Sequence, residues 1–319
     1  MYWNKYKRKV ESSKKEENTK LEEQEPDNNT ITKEQLLNKL TNIHDLSKEE
    51  IVIEDHTFTI LYVTTIVDSQ RIDELLTTPL KEATMLVESH EILKKHHTIT
   101  HNDMDLLLHD IASGYTVVFV EPDLTIFSVN TFNVPERSIT APENETTILG
   151  PQDSFIESIE TNMSLIRRRI RSTELKSKSF ILGSETKNTV NVVYMENIAN
   201  EENVKRVIKR IDNIKYHGFI GMPVLKQMLE DNPFSPFPQF GITVRTDMAT
   251  NELLNGKILV LLNGSPEVAI LPATFLEMFI TPEDYYNRWT TATLLRTLRL
   301  MGFFLSILLT STYVSVLTF

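Results

Sequence analysis

Apolar positions along this chain come in two patterns, short continuous runs and stripes spaced three and four apart. Ile60-Leu-Tyr-Val-Thr-Thr-Ile-Val-Asp68 is a run that leaves through a polar turn into a helix beginning near Gln70, with Ile72, Leu75 and Leu76 on one side. Val192-Val-Tyr-Met-Glu-Asn-Ile-Ala-Asn200 matches it without a gap, Tyr194 falling on Tyr62 and Ile198 on Ile66. A second helix then begins near Glu201, carrying Val204, Val207, Ile208 and Ile211 at i, i+3, i+4 and i+7. The two stretches also close alike. His109-Asp-Ile-Ala-Ser-Gly114 ends a helix on a C-cap glycine, ahead of strands at 115–121 and 124–129 across Pro122-Asp123. Glu252-Leu-Leu-Asn-Gly256 does the same ahead of strands at 257–262 and 267–271 across Asn263-Gly-Ser-Pro266. The pattern predicts an α/β fold of two tandem, similar β-α-β-β subdomains, followed by a C-terminal transmembrane helix.

The expected division is a disordered polar tail at 1–31, a first subdomain at 32–133, a proline-containing polar linker at 134–149 and a second subdomain at 150–286. A long amphipathic helix opens the second subdomain. Ser154 and Glu157 form its expected capping box, and Phe155, Ile159, Met163, Ile166 and Ile170 form its apolar face. Residues 287–319 read as a juxtamembrane segment and a first membrane span. Leu300–Phe319 holds 20 residues without a charge, about 30 Å of helix, which is the thickness of a bilayer's hydrocarbon core. Arg288, Arg296 and Arg299 precede it, and Tyr285, Tyr286 and Trp289 supply rings suited to the headgroup layer. Arginines on that side place the preceding residues in the cytoplasm.

Composition narrows the function. The chain is 40% hydrophobic and 24% charged, with a formal net charge of −11, so phosphate repels it as a whole and no nucleic-acid partner is expected. Cysteine is absent, which removes disulfides, thiolate metal sites and thiol nucleophiles and fits a reducing compartment. The basic start of the chain lacks a following apolar core and is not a signal peptide. Catalytic signatures such as G-x-S-x-G, a Walker loop, G-x-G-x-x-G and H-E-x-x-H are missing, which moves the reading away from an enzyme.

Three groups invite a chemical reading and a plainer one. His96, His97, His101 and His109, with Asp103 and Asp105, have zinc-compatible donors. Thr98-Ile-Thr100 interrupts them, and Asn102 or Asp103 reads as the cap of a new helix, so they read as solvated residues at a helix junction. Arg167, Arg168, Arg169 and Arg171 form the dense basic run. On a helix Arg168 points away from the apolar stripe while Arg167 and Arg169 flank it on opposite sides. The four do not converge on a phosphate and read as a solvated face with salt bridges to neighbouring units. Ser235-Pro-Phe-Pro-Gln239 reads as a rigid loop, with room for a cis proline, before a strand at 242–245. No catalytic, cofactor-binding or metal-ligating residue is assigned, and no cofactor is expected.

Taken in order, these residues carry a family resemblance. Gly150-Pro-Gln-Asp-Ser-Phe-Ile-Glu157, Thr161-Asn162 and Leu165-Ile-Arg-Arg-Arg-Ile170 resemble the G-P-x-x-x-F-x-E, T-N and L-I-R-R-R-I signature of GerA-type spore germination A subunits. Phe237-Pro-Gln239, Thr243-x-Arg245, Gly264-Ser-Pro266, Leu271-Pro-Ala-Thr-Phe275, Glu283-Asp-Tyr-Tyr286, Arg296 and Arg299 follow in the family's order. The resemblance covers about 135–319. It implies a subunit of a nutrient germinant receptor in the inner membrane of dormant spores, working with an integral-membrane B subunit and a lipoprotein C subunit. It also implies a homo-oligomer forming an ion pathway whose opening starts germination.

This chain departs from the family's pattern at two places. The usual T-E-R-P-D reads Thr243-Val-Arg-Thr-Asp247, without the glutamate and the proline. The chain also stops at Phe319, where family members continue through further spans, so the expectation is a truncated or degenerate copy. The competing expectation is a tail-anchored cytosolic protein whose two lobes bind a small molecule at their seam.

Overall fold

The computed structural model describes residues 31–83, 86–95, 99–100, 103–132, 150–232, 234–235 and 238–318. The polar stretch before Ile31 and the whole of the expected linker, 134–149, lie outside them. Ile31 itself, assigned above to the tail, is buried in the first core.

The first subdomain opens with α1 (Lys33–Lys39) and a hairpin of β1 (Leu46–Ile53) and β2 (His56–Val63). A helical stretch follows in pieces: α2 (Ser69–Ile72), a π-helical turn (Asp73–Thr77), α3 (Thr78–Glu82) and α4 (Leu86–Lys95). The short β3 (Ile99–Thr100), α5 (Met104–Ala112), β4 (Tyr115–Glu121) and β5 (Thr125–Asn130) complete it. The second subdomain repeats the scheme. It runs α6 (Ile159–Arg169), β6 (Leu175–Leu182), β7 (Asn188–Met195), α7 (Glu201–Asn213), α8 (Met222–Leu229), β8 (Gly241–Thr243), α9 (Thr246–Leu254), β9 (Ile258–Leu262) and β10 (Val268–Leu271). A 3-10 turn (Phe275–Phe279), the short α10 (Glu283–Tyr286) and α11 (Trp289–Thr318) end the chain.

Both sheets are antiparallel throughout, in the orders β1-β2-β4-β5-β3 and β6-β7-β9-β10-β8. The order is the same once the numbers are shifted by one subdomain. The expected β-α-β-β core is present in each, and β1 or β6 adds a leading edge strand while β3 or β8 closes the other edge. Helices cover both faces. Val190, Val192 and Val260 face Val204, Val207 and Ile211 of α7 on one side, and Val193, Leu259 and Leu261 face Met163, Ile166 and Leu253 on the other. A strand covered on both faces buries every side chain, which is why β4 and β9 read as continuous apolar runs and not as alternation.

The duplication extends to local chemistry. Asp68 caps α2 by accepting from the amides of Gln70 and Arg71, and Asn200, its counterpart, caps α7 by accepting from those of Glu202 and Asn203. Gly114 and Gly256 end α5 and α9 at φ +91° and +83°, and a Cβ on them would meet the carbonyls of Ile66 and Ile198 at 3.1 and 3.0 Å. Left-handed backbone pressed against a carbonyl admits only glycine at both positions.

One expectation needs correction. The helix opening the second subdomain starts at Ile159, not near Ser154, and its cap is Ser158, whose Oγ accepts from Thr161 N at 3.3 Å. Ser154 instead forms a β-bridge with Arg245, and Phe155 N donates to Val244 O at 2.8 Å, because extended pairing to the stretch just after β8 holds these residues out of the helix. The described cis prolines follow Glu121 and Leu271; of Ser235–Gln239, Pro236 and Phe237 lie outside the described residues.

Candidate functional site: a polar relay from the seam to the apolar helix

The arginine run on α6 lies between three parts of the molecule. Arg167, expected on a solvated face, is only 2% exposed. Its Nε donates to Asp45 Oδ2 at 2.7 Å and its Nη2 to Asp45 Oδ1 at 2.6 Å, a bidentate pair across the seam to the first subdomain. The reason is local: Asp45 sits at the start of β1, and Ile43 forms a parallel bridge with Ser177 of β6, so the first subdomain's chain runs against α6 and β6. Asn42 O accepts from Ser177 N at 3.0 Å, Lys39 O from Lys176 Nζ at 3.1 Å, and Thr65 Oγ1 donates to Asp45 Oδ2 at 2.6 Å. His44 Nδ1 lies 2.7 Å from Ser177 Oγ. Burial pushes the Asp45 carboxyl up, but the Arg167 charge and hydrogen bonds, with the Thr65 hydroxyl, outweigh it and hold the group at about 2. Burial, reinforced by Arg167, lowers His44.

Arg169 faces the other way. Its Nη2 donates to Asp153 at 2.5 and 2.7 Å, and Asp153 Oδ2 also accepts from Thr246 Oγ1 at 2.5 Å. Thr246 occupies the first position of α9, where a proline is tolerated, and its hydroxyl makes a bond a proline lacks. Beside it the fully buried Arg245 donates from Nε and Nη2 to Asp247 at 3.0 and 2.8 Å and from Nη2 to Pro151 O at 2.8 Å.

From Asp247 the relay enters the segment below the apolar helix. Tyr286 Oη donates to Asp247 Oδ2 at 2.5 Å, and Tyr285 Oη to Glu252 Oε1 at 3.2 Å. Burial and the adjacent carboxylates push both phenols up to about 12. These rings, expected among headgroups, are also tied into the second subdomain. Asp284, 6% exposed, pairs with Arg299 and, at 3.7 Å, with Arg296, so two arginines expected only as flanking charges clamp the base of α11. Burial raises the Asp284 carboxyl, but hydrogen bonds from Arg299 and the Thr281 amide more than offset this and lower it. Lys257 bridges Glu252, at 2.7 Å, and Glu277. A cavity of about 560 Å³ opens between β8 and this segment, walled by Ile242, Met248, Ile270 and Met278.

Of the relay's acids, Asp153, Asp247, Glu252 and Asp284 stand in stretches quoted above as motifs or helix ends without a role for the carboxylate, and Asp45 stands in none: carboxylates near turns give no spacing signal for their partners. Among the histidine group, His96, His97 and His101 lie outside the described residues, His109 is 3.4 Å from Ser113 Oγ, and Asp103 caps α5 as expected.

Two antiparallel three-layer units built on one plan, clamped to an apolar helix, define a class: a duplicated α/β module with a helix of membrane-crossing length. In that helix, Trp289–Thr318, the most apolar window has a mean hydropathy of 1.9 and is nowhere buried. The family model for the Bacillus/Clostridium GerA spore germination protein matches residues 34–319, and the chain belongs to this family. It is 34% identical over 297 residues to spore germination protein GerQA of Bacillus cereus, covering 92% of this chain and 60% of that one. It is 29% identical over 288 residues to spore germination protein A1 of Bacillus subtilis (strain 168), covering 89% and 60%. The chain thus spans about 60% of the length of these relatives. The crystal structure of the N-terminal domain of the A subunit of the Bacillus megaterium spore germinant receptor GerK3 superposes with a TM-score of 0.56 at 26% identity, covering 75% of this chain and 92% of that one.

Proposed function

We propose that this chain is a membrane-anchored A-subunit-like component of a spore nutrient germinant receptor that passes a conformational signal from its soluble subdomains to α11. In this reading subdomains at 32–133 and 150–286, joined by the linker 134–149, lie on the cytoplasmic side of the spore inner membrane, and α11 enters the bilayer. The partners are B and C subunits and further copies of the chain, and the output is ion release at germination. The chain transmits and performs no catalysis. The observation that carries the reading is the clamp of Asp284 on Arg296 and Arg299, because it ties the second subdomain to the helix base by charge as well as by the covalent chain. A two-lobed small-molecule binder would use the seam, and there Asp45, Arg167, Ser177 and Thr65 are paired with one another.

Asp284→Asn keeps the shape and removes the charge. Spores carrying this variant at normal level in their membranes are expected to release cations more slowly after nutrient addition. An unchanged rate would overturn the coupling role.

A further inference from the structure

The 3-10 turn Phe275-Leu-Glu-Met-Phe279 presents its side chains the wrong way round for a loop in water. Glu277, its one charged residue, turns inward: it accepts from Thr274 N at 3.1 Å, completing a capping box, and pairs with Lys257. Leu276 points outward, 62% exposed, and Met278, on the rim of the cavity beside β8, is 55% exposed. The remaining two rings connect the turn to α11. Phe275 and Phe279 meet edge-on at 5.4 Å between centroids, and each packs on Phe303, at 5.9 and 5.3 Å.

The position of Phe303 sets the height of this cluster. It lies one helical turn beyond Arg299, the last charged residue of the chain, so about 6 Å further along the axis. Arg299 reaches back to the Phe279 carbonyl and to Asp284, which keeps its charge on the near side. A bilayer that receives the uncharged part of α11 therefore has its boundary between Arg299 and Phe303. The turn, in contact with Phe303, is at the same level.

We propose that residues 275–279 form an interfacial membrane anchor, with Leu276 and Met278 inserted about 5–10 Å into the headgroup and acyl boundary beside α11. This rests on the reading of α11 as a membrane span. The occupant is lipid, because the aromatic contact makes the turn's apolar tip continuous with the apolar helix, and the tip carries no outward charge. The anchor holds the second subdomain against the bilayer at a fixed height and leaves the Trp289–Arg299 part of α11 outside the hydrocarbon.

The absence of cysteine permits a direct test on the full chain. Single variants Leu276→Cys, Met278→Cys, Leu308→Cys and Val52→Cys, each labelled with an environment-sensitive fluorophore, are reconstituted in phosphatidylcholine–phosphatidylglycerol vesicles carrying lipid nitroxide quenchers. Labels at 276 and 278 are expected to show blue-shifted emission and to lose most intensity to a shallow nitroxide. The label at 308 should lose most to a deep one, and that at 52 should lose none. Quenching at 308 with positions 276 and 278 behaving like 52 overturns the anchor and leaves the span intact. No quenching at 308 removes the span reading and the anchor with it. Blue-shifted but unquenched labels at 276 and 278 mean that protein covers the turn, which also overturns the proposal.

Discussion

Replacing Arg167 with alanine strands the Asp45 carboxylate in a seam where it is 5% exposed. Breaking a buried pair from one side leaves an uncompensated charge, so Arg167→Ala is expected to lower unfolding stability by about 3–5 kcal/mol in denaturant titrations. The pH profile gives a second readout. Asp45 is held at about 2, below its ordinary value, so its contribution is fully present above about pH 4 and is lost as pH falls through 2. Integrated over that window it amounts to about 2 kcal/mol. In the alanine variant the Thr65 and Ser177 hydroxyl bonds remain but the arginine charge is gone, so burial weighs more, the carboxyl moves up and the acid-dependent contribution of Asp45 shrinks. A variant with the parent's acid slope would show that the pair does not set this titration.

At the scale of elements, the start of α6 separates two readings of one sequence. Ser154 with Glu157 satisfies the capping-box pattern, yet the side chain that caps the helix is Ser158. Ser158→Ala is therefore expected to cost about 1 kcal/mol. Glu157→Ala, at an exposed side chain whose backbone carbonyl alone is engaged by Gly264, should stay within about 0.5 kcal/mol. Thermal unfolding of the two variants side by side checks the assignment. The competing principle is pairing: the amide of Phe155 is satisfied by Val244 before a helix has any claim on it.

At the scale of the molecule, the second subdomain meets α11 at the Asp284 clamp, and α6 joins that subdomain to the first across the seam. If α11 spans a bilayer, the chain stays with the membrane fraction after alkaline carbonate extraction, and protease added to inside-out vesicles digests both subdomains. Arg296→Glu with Arg299→Glu removes positive charge from the flank that the proposed topology puts in the cytoplasm and is expected to reduce the digested fraction. Release of the parent chain by carbonate, or unchanged protease access in the double variant, would contradict the topology.

Periodicity was enough for the duplication, both cap glycines, the Asp103 helix cap and the apolar terminal helix, because each follows from backbone geometry or local side-chain pattern within a few residues. The leading strands β1 and β6 escaped notice, since an edge strand with one covered face and several polar residues lacks a strong apolar run. The relay was illegible for a deeper reason. Whether Arg167 meets water or Asp45 depends on a partner 122 residues away in the chain, and helical spacing is blind to that. Tyr285, Tyr286, Arg296 and Arg299 have side chains suited to a membrane surface, and only the packing of α10 under α11 turned them toward Glu252, Asp247 and Asp284. The amino-acid order alone thus determined the paired α/β plan, through local preference and burial; which charges neutralise one another was decided by tertiary contact, because Coulomb attraction and desolvation depend on distances that only the folded chain sets.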